Sequence, residues 1–217
     1  MSDLVDFINR DDLPAVAQAA IAHAQFETVH PFVDGNGRVG RCLIHVVLRR
    51  REVARTFVPP VSIVLAARPK AYVEGLVDFR EGRVESWSVD FAEACRLAAE
   101  SSAELAARVT SRRSEWRERA GRPRRDSAAA RIIGVLPAQP IASAATIRGA
   151  IGARHQRALE GLKVLADAGV LRQMQISAGT YDRQYAADEL FELIEEYEAE
   201  LVDHTSRPEH SAGASVS

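Results

Sequence analysis

The sequence predicts a mainly α protein in two parts, a helical bundle followed by a small winged helix-turn-helix domain of the α+β kind. Three observations carry this. Apolar residues recur at helical spacing along the first half, as in Val39, Cys42, Leu43, Val46 and Val47. Ser111 to Arg125 then holds seven arginines against two glutamates and contains Gly121-Arg122-Pro123, which reads as a helix end turning into a linker. Beyond the linker, three short helical stretches precede two extended ones, the order of a winged helix. A chain of 217 residues with 47% apolar content can fill two such cores.

The elements follow in chain order. Asp11 and Asp12 ahead of Pro14 mark a helix start. That helix should run to about Thr28 and end at His30-Pro31, because the residue before proline is pushed out of the α region. Its His23 is expected as a packed core residue rather than a ligand. A second helix should begin at about Gly37 or Arg38 and close on Arg49, Arg50 and Arg51 as a solvated end. Thr56 to Ala67 is an apolar run whose periodicity fits a buried strand or a short helix. A helix from Pro69 to Arg80 stops at Gly82. Ser86 or Ser88 should cap a long helix from about Val89 to Arg119, with Phe91, Cys95, Ala98 and Leu105 inward and Trp87 in the core.

In the second part, Ile132, Ile133, Val135 and Leu136 make a helix ending at Pro137, Thr146 to Ile151 a second, and Arg154 to Ala168 a third. The third turns Leu159, Leu162 and Leu165 inward and leaves Arg154, His155 and Arg157 outward. Gln173 to Ile176, the turn Ser177-Ala178-Gly179 and Tyr181 to Ala186 read as the hairpin wing. Residues 128–186 carry seven basic groups against three acids, so DNA is a candidate partner through Arg154, His155 and Arg157, with a protein contact as the other use of this surface. Asp188 to Asp203 is an acidic helix with Leu190, Leu193, Ile194, Tyr197 and Leu201 on one stripe, suited to dock on the module or on a second subunit of a homo-oligomer. Thr205 to Ser217 has no apolar pattern and reads as a disordered tail.

Composition excludes some classes. A net charge of -2 argues against a protein that coats nucleic acid throughout. Cys42 and Cys95 are isolated, without metal or disulfide spacing, which fits a reducing cytoplasm. No apolar run reaches membrane-spanning length, and the first residues lack a signal-peptide core. With 26 arginines against 2 lysines and abundant alanine, the chain has the look of a GC-rich bacterial genome.

The densest chemistry lies in His30 to Arg41, HPFVDGNGRVGR. Gly35, Asn36 and Gly37 fall at a helix start, where unpaired N–H groups and the positive end of the dipole favour an anion. Arg38 and Arg41 add two cations on one flank of the first turn, so a polyphosphate is the natural guest. Asp34 suits Mg²⁺, which takes one or two carboxylates together with phosphate oxygens. His30 across the loop is suited to accept a proton from an attacking hydroxyl.

This stretch resembles the signature of Fic proteins, HPFx[D/E]GNGRxxR, at every fixed position. The resemblance implies a helical enzyme that transfers AMP from ATP to a Ser, Thr or Tyr hydroxyl of a target protein. It implies His30 as base, Asp34 as Mg²⁺ ligand, Gly35, Asn36 and Gly37 as anion hole, Arg38 and Arg41 as phosphate clamps, and Phe32 as the buried anchor of the loop. Doc-like kinases carry lysine where this chain has Gly37, which favours AMP transfer over phosphorylation. The resemblance leans towards a short helix for the run before Ala67, and it places a target-docking flap and first helices upstream of the motif. With 29 residues before His30, residues 1–122 read as a Fic-like domain incomplete at its N-terminus, 123–186 as the winged helix, 187–204 as the acidic helix and 205–217 as the tail. Inhibitory [S/T]xxxE[G/N] motifs are absent. The rival expectation is a non-catalytic or nucleotide-sensing Fic remnant that regulates through its winged helix.

Overall fold

Alanine-rich helices pack closely because nothing bulky holds their backbones apart, and the first half of the chain uses this. The computed structural model describes residues 1–55, 57, 59–174 and 183–206. It is mainly helical and divides into two compact units, one of Met1–Ala103 with the described residues from Ala199 onward, the other of Glu104–Glu198.

The first unit contains α1 (Ser2–Ile8), α2 (Ala15–Val29), α3 (Asn36–Arg50), α4 (Val61–Ala67), α5 (Pro69–Arg80) and the start of α6 (Val84–Arg119). Its centre is α2, which is buried on several sides through Ala19, Ala20, Ala22, Ala24 and Phe26. A helix apolar nearly all round belongs in the middle of a core. Trp87 is buried against it and donates its indole N–H to the Ala20 carbonyl at 2.8 Å. Gly75 makes room for that ring, since a Cβ there would meet Trp87 at 2.7 Å.

Several expectations shift. α1 had no sequence signal and forms on Leu4 as its buried residue. The run ending at Ala67 is helical. α6 begins at Val84 rather than Val89, and Ser88 lies inside it with its hydroxyl bonded to the Val84 carbonyl at 2.8 Å, so neither serine is its cap. The end of α3 is not merely solvated. Arg50 donates to Asp11 Oδ1 at 2.8 Å, and Arg51 donates to Gln18 Oε1 at 2.7 Å and to the Asp11 carbonyl at 3.2 Å. Gln18, fully buried, donates to the Phe7 and Arg10 carbonyls at 2.8 Å each. The α1–α2 loop is thereby fastened to the end of α3.

The second unit contains the end of α6, α7 (Ala128–Val135), β1 (Ile141–Ser143), α8 (Ala144–Ile151), α9 (His155–Asp167), β2 (Arg172–Gln173), β3 (Gln184–Ala186) and the first part of α10 (Asp188–Ser206). The strands form one antiparallel sheet in the order β1-β3-β2, with Ala142 opposite Tyr185 and Gln173 opposite Tyr185. The core joins Trp116, Ile132, Ile133, Leu136, Ile147, Leu162, Leu165, Tyr185 and Leu190. Ser143 and Thr146 cap α8 reciprocally. β1 was too short to leave a periodic signal. The expected wing turn, Ser177-Ala178-Gly179, lies outside the described residues. α10 runs to Ser206, two residues into the expected tail, and residues 207–217 lie outside the described ones.

The compact units divide inside α6, between Ala103 and Glu104, and not at the expected linker before Pro123. The reason is packing: Trp116, fully buried, and Val109 belong to the second core. Arg112 and the Trp116 indole bond Glu189 Oε2 at 2.7 and 3.2 Å, and Arg119 pairs with the same carboxylate. Part of the arginine run is therefore structural.

His23 is fully buried on α2, with Nε2 3.0 Å from the Tyr72 hydroxyl. Burial pushes its pKa down to about 4. The unfolded chain therefore binds a proton near pH 6.5 that the folded chain refuses, so stability is lost as pH falls from about 6.5 towards 4, by on the order of 3 kcal/mol. Denaturant melts across this window should show the slope in the wild type and a shallower one in His23→Phe; parallel slopes would contradict it.

Candidate functional site

The loop between α2 and α3 is held by one side chain. Asn36, at the first position of α3 and 3% exposed, accepts the Phe32 backbone N–H at Oδ1, 2.9 Å, and donates from Nδ2 to the Phe32 carbonyl at 2.6 Å. Both ends of the amide are thus spent on one residue of the loop. The expected anchor was the Phe32 ring, but Phe32 is 49% exposed, with its ring centroid 6.2 Å from that of Phe26. The backbone of Phe32 is the anchored part, since a short loop between helices has polar groups to satisfy and little apolar surface to cover it. Asn36 correspondingly keeps only its backbone N–H for an anion.

Two left-handed residues shape the ends. His30 caps α2 at φ 47°, ψ 58°, with its N–H on the Phe26 carbonyl at 2.9 Å. Gly35 precedes α3 at φ 85°, a conformation natural to glycine. Between them the chain reverses, and His30, Val33, Asp34, Gly35, Asn36, Gly37, Arg38 and Arg41 line a cavity of about 310 Å³. The expected base, carboxylate, glycines and arginines therefore meet at one place; Phe32 does not line it.

Inside the cavity Asp34 takes an anion's position. Its Oδ1 accepts the Gly35 N–H at 2.6 Å and its Oδ2 pairs with Arg38 Nη2 at 3.1 Å. Both side chains are highly exposed, 91% and 73%, so the pair contributes little and opens readily. Arg38 and Arg41 lie against the glycines: a Cβ on Gly35 would meet Arg38 Nη2 at 3.4 Å, and one on Gly37 would meet Arg41 Nη1 at 3.2 Å. Asp34 is the one carboxylate lining this cavity, and among the described residues no three His, Cys, Asp or Glu side chains could hold a metal by themselves. A single open carboxylate beside a helix N-terminus would suit Mg²⁺ arriving with phosphate oxygens and its own waters.

Sequence reasoning missed what lies behind the loop. Glu27 is nearly buried between α2 and α3, and a Cβ on Gly40 would collide with its Oε1. His23 and Glu27 on one helix face, opposite Gly40 one turn past Asn36, were the available signal. Tyr72 of α5 faces the same cluster, its hydroxyl pushed up to about 12 by burial and then by the Glu27 charge.

In the second unit Arg154, His155 and Arg157 are exposed at the start of α9, as expected. Arg154 and Arg157, with Arg124 and Arg131, line a cavity of about 860 Å³; His155 does not.

The fold and the loop define a mainly helical protein whose glycine loop carries a histidine, a carboxylate and two arginines into one cavity. A sequence model of the Fic/DOC family matches residues 1–48 of the chain. The protein adenylyltransferase fic-1 of Caenorhabditis briggsae is 36% identical over 75 residues, 33% of this chain and 14% of that protein. A probable protein adenylyltransferase of Aquifex aeolicus is 33% identical over 76 residues, 35% of this chain and 21% of that protein. The chain therefore spans a small share of the relatives' length. A solved Fic family protein from Desulfovibrio desulfuricans G20 aligns with 86% of this chain and 53% of its own, at 21% identity and a TM-score of 0.46. Among the described residues no helix is long and apolar enough to cross a membrane.

Asn36→Ala should leave the two backbone groups of Phe32 without partners, at a cost of about 1–3 kcal/mol. Hydrogen exchange at the Phe32 amide should accelerate and the melting temperature fall. Unchanged exchange would mean that the loop is held by other contacts.

Proposed function

We propose that the chain transfers AMP from ATP to a hydroxyl side chain of a target protein. The observation that carries this reading is the placement of His30 in one cavity with the α3 N-terminus, Asp34, Arg38 and Arg41. The triphosphate lies over the backbone N–H groups of Asn36, Gly37 and Arg38, which have no acceptor within the helix. Arg38 and Arg41 grip the β- and γ-phosphates with planar, bidentate donors. Asp34 would hold Mg²⁺, which would supply neutralisation of phosphate charge, and the exposed Asp34–Arg38 pair can open to give Arg38 to the nucleotide.

His30 takes the proton of the target Ser, Thr or Tyr hydroxyl as its oxygen attacks the α-phosphorus. The new O–P bond forms as the bond to the β-phosphate oxygen breaks, and pyrophosphate leaves with the electron pair. The adenylyltransferase names of the relatives support this class of reaction, and the unbroken motif supports its assignment to these residues. His30→Ala should lower transfer by roughly 10²- to 10⁴-fold while ATP affinity stays nearly constant. Radiolabelled ATP and calorimetry read the two halves, and undiminished labelling would remove His30 from the mechanism.

A second reading, regulation through DNA binding by the second unit, is favoured by its arginines. The order α7-β1-α8-α9-β2-β3 supports a winged helix-turn-helix. Arg124, Arg131, Arg154 and Arg157 surround one cavity and have no ion-pair partner among the described residues, whereas Arg112, Arg119 and Arg172 of the same unit are tied to carboxylates. Duplex DNA should bind with an affinity that falls steeply with salt, and Arg154→Ala with Arg157→Ala should flatten that slope. Fluorescence anisotropy reads it; binding indifferent to salt would contradict a phosphate contact.

A further inference from the structure

Glu27 is the one carboxylate buried behind the loop, and the proposed chemistry gives it no part. It lies on α2, three residues before His30, and its side chain is about 10% exposed. One oxygen, Oε2, is 4.0 Å from His30 Nδ1. The other, Oε1, is buried and has no hydrogen-bond partner among the described residues. A buried carboxylate oxygen without a donor is costly, so the placement needs a reason. The structure also makes space for it: Gly40 of α3 is where a side chain would collide with Oε1, and the same missing Cβ would sit 3.2 Å from His23 Nδ1 and from Phe26 Cδ1.

We propose that Glu27 is a positioning residue for His30, holding the imidazole with Nδ1–H turned to its carboxylate and Nε2 free towards the cavity. This rests on the reading of His30 as the base. A neutral imidazole can accept a proton only at the nitrogen that lacks one, so the tautomer decides which side of the ring works. A carboxylate at Nδ1 selects the tautomer whose Nε2 is bare, and it offsets the charge of the imidazolium formed when the hydroxyl gives up its proton. That proton then leaves Nε2 for solvent water and restores the resting form. A contraction of about 1 Å brings the present separation to hydrogen-bond length, as catalytic contacts tighten around a substrate.

The other charged and titratable groups facing Glu27 fit this role. His23 on α2 is buried and held neutral around pH 7, and its Nε2 is engaged with the Tyr72 hydroxyl of α5. Tyr72 keeps its proton at that pH. Arg41 of α3 is the nearby cation, its charge opposing that of Glu27 at Tyr72, and it is directed to the cavity. Neither His23 nor Tyr72 brings a charge to compete for the carboxylate; His23 Nδ1, itself without a partner among the described residues, lies at Gly40 with Oε1, and Oε2 is the oxygen turned to His30.

The test uses the full chain with ¹⁵N-labelled histidine at about pH 8, where a free imidazole is neutral. Long-range ¹H–¹⁵N spectra should show His30 chiefly as the Nδ1–H tautomer in the wild type. In Glu27→Gln, which keeps size and can offer an N–H in place of a bare oxygen, the Nε2–H form should gain. The turnover number for protein labelling should fall on the order of 10²-fold with KM for ATP unchanged. Glu27→Ala, which cannot donate, should lose the selection without reversing it; far-ultraviolet spectra and melting confirm that both variants fold. An unchanged tautomer ratio in folded Glu27→Gln overturns the proposal. If instead the ratio shifts but His30→Ala still labels its target, the base assignment fails while the Glu27–His30 coupling stands.

Discussion

The reciprocal pair of hydrogen bonds between the Asn36 amide and the backbone of Phe32 is the constraint on which the rest of the site depends. A loop of six residues between two helices must turn the chain, satisfy its own polar groups and still leave the next helix open at its N-terminus. Most helix starts use a side chain to cap those N–H groups. Here Gly35 stands at the cap position and offers none, and the one polar side chain at hand bonds backward into the loop. The helix N-terminus is thereby left for an exchangeable anion, while Asp34 accepts the Gly35 N–H just ahead of it and pairs with Arg38.

That loop is only as fixed as the helices it joins. α2 is rich in buried alanines, and α3 packs on it closely enough that Gly40 cannot carry a side chain. The same closeness traps Glu27, brings His23 to Tyr72 and ties Arg50 and Arg51 back to the start of α2. Stability and site geometry therefore share one set of contacts. Two buried polar atoms of the interface, Glu27 Oε1 and His23 Nδ1, have no hydrogen-bond partner among the described residues and both face Gly40, while the other Glu27 oxygen, Oε2, lies towards His30.

Much of this was legible in the residues, and for identifiable reasons. The loop motif is contiguous, so its base, carboxylate, glycines and arginines could be read and did fall around one cavity. Long periodic helices such as α2 and α3 announced themselves within a few residues of their ends. What stayed hidden depended on contacts between distant positions. Nothing local to Phe32 tells that its ring stays exposed while its backbone is clamped. Nothing local to Trp116 tells that the end of α6 belongs to the second core, so composition placed the boundary at Gly121-Arg122-Pro123 when packing places it nearly twenty residues earlier. The three-residue β1 and the seven-residue α1 were too short for periodicity to register.

The central claim, that the α3 N-terminus with its two arginines is a polyphosphate site, is tested most directly by comparing ATP and AMP affinities for the wild type and Arg38→Lys. Lysine keeps the charge but gives up the rigid fork that reaches two phosphate oxygens at once. The account predicts that ATP binding weakens by roughly ten- to hundred-fold, the worth of a lost charge-assisted hydrogen bond, while AMP, lacking the β- and γ-phosphates, is hardly affected. Equal losses for both ligands would contradict it and would mean that Arg38 maintains the loop rather than the nucleotide.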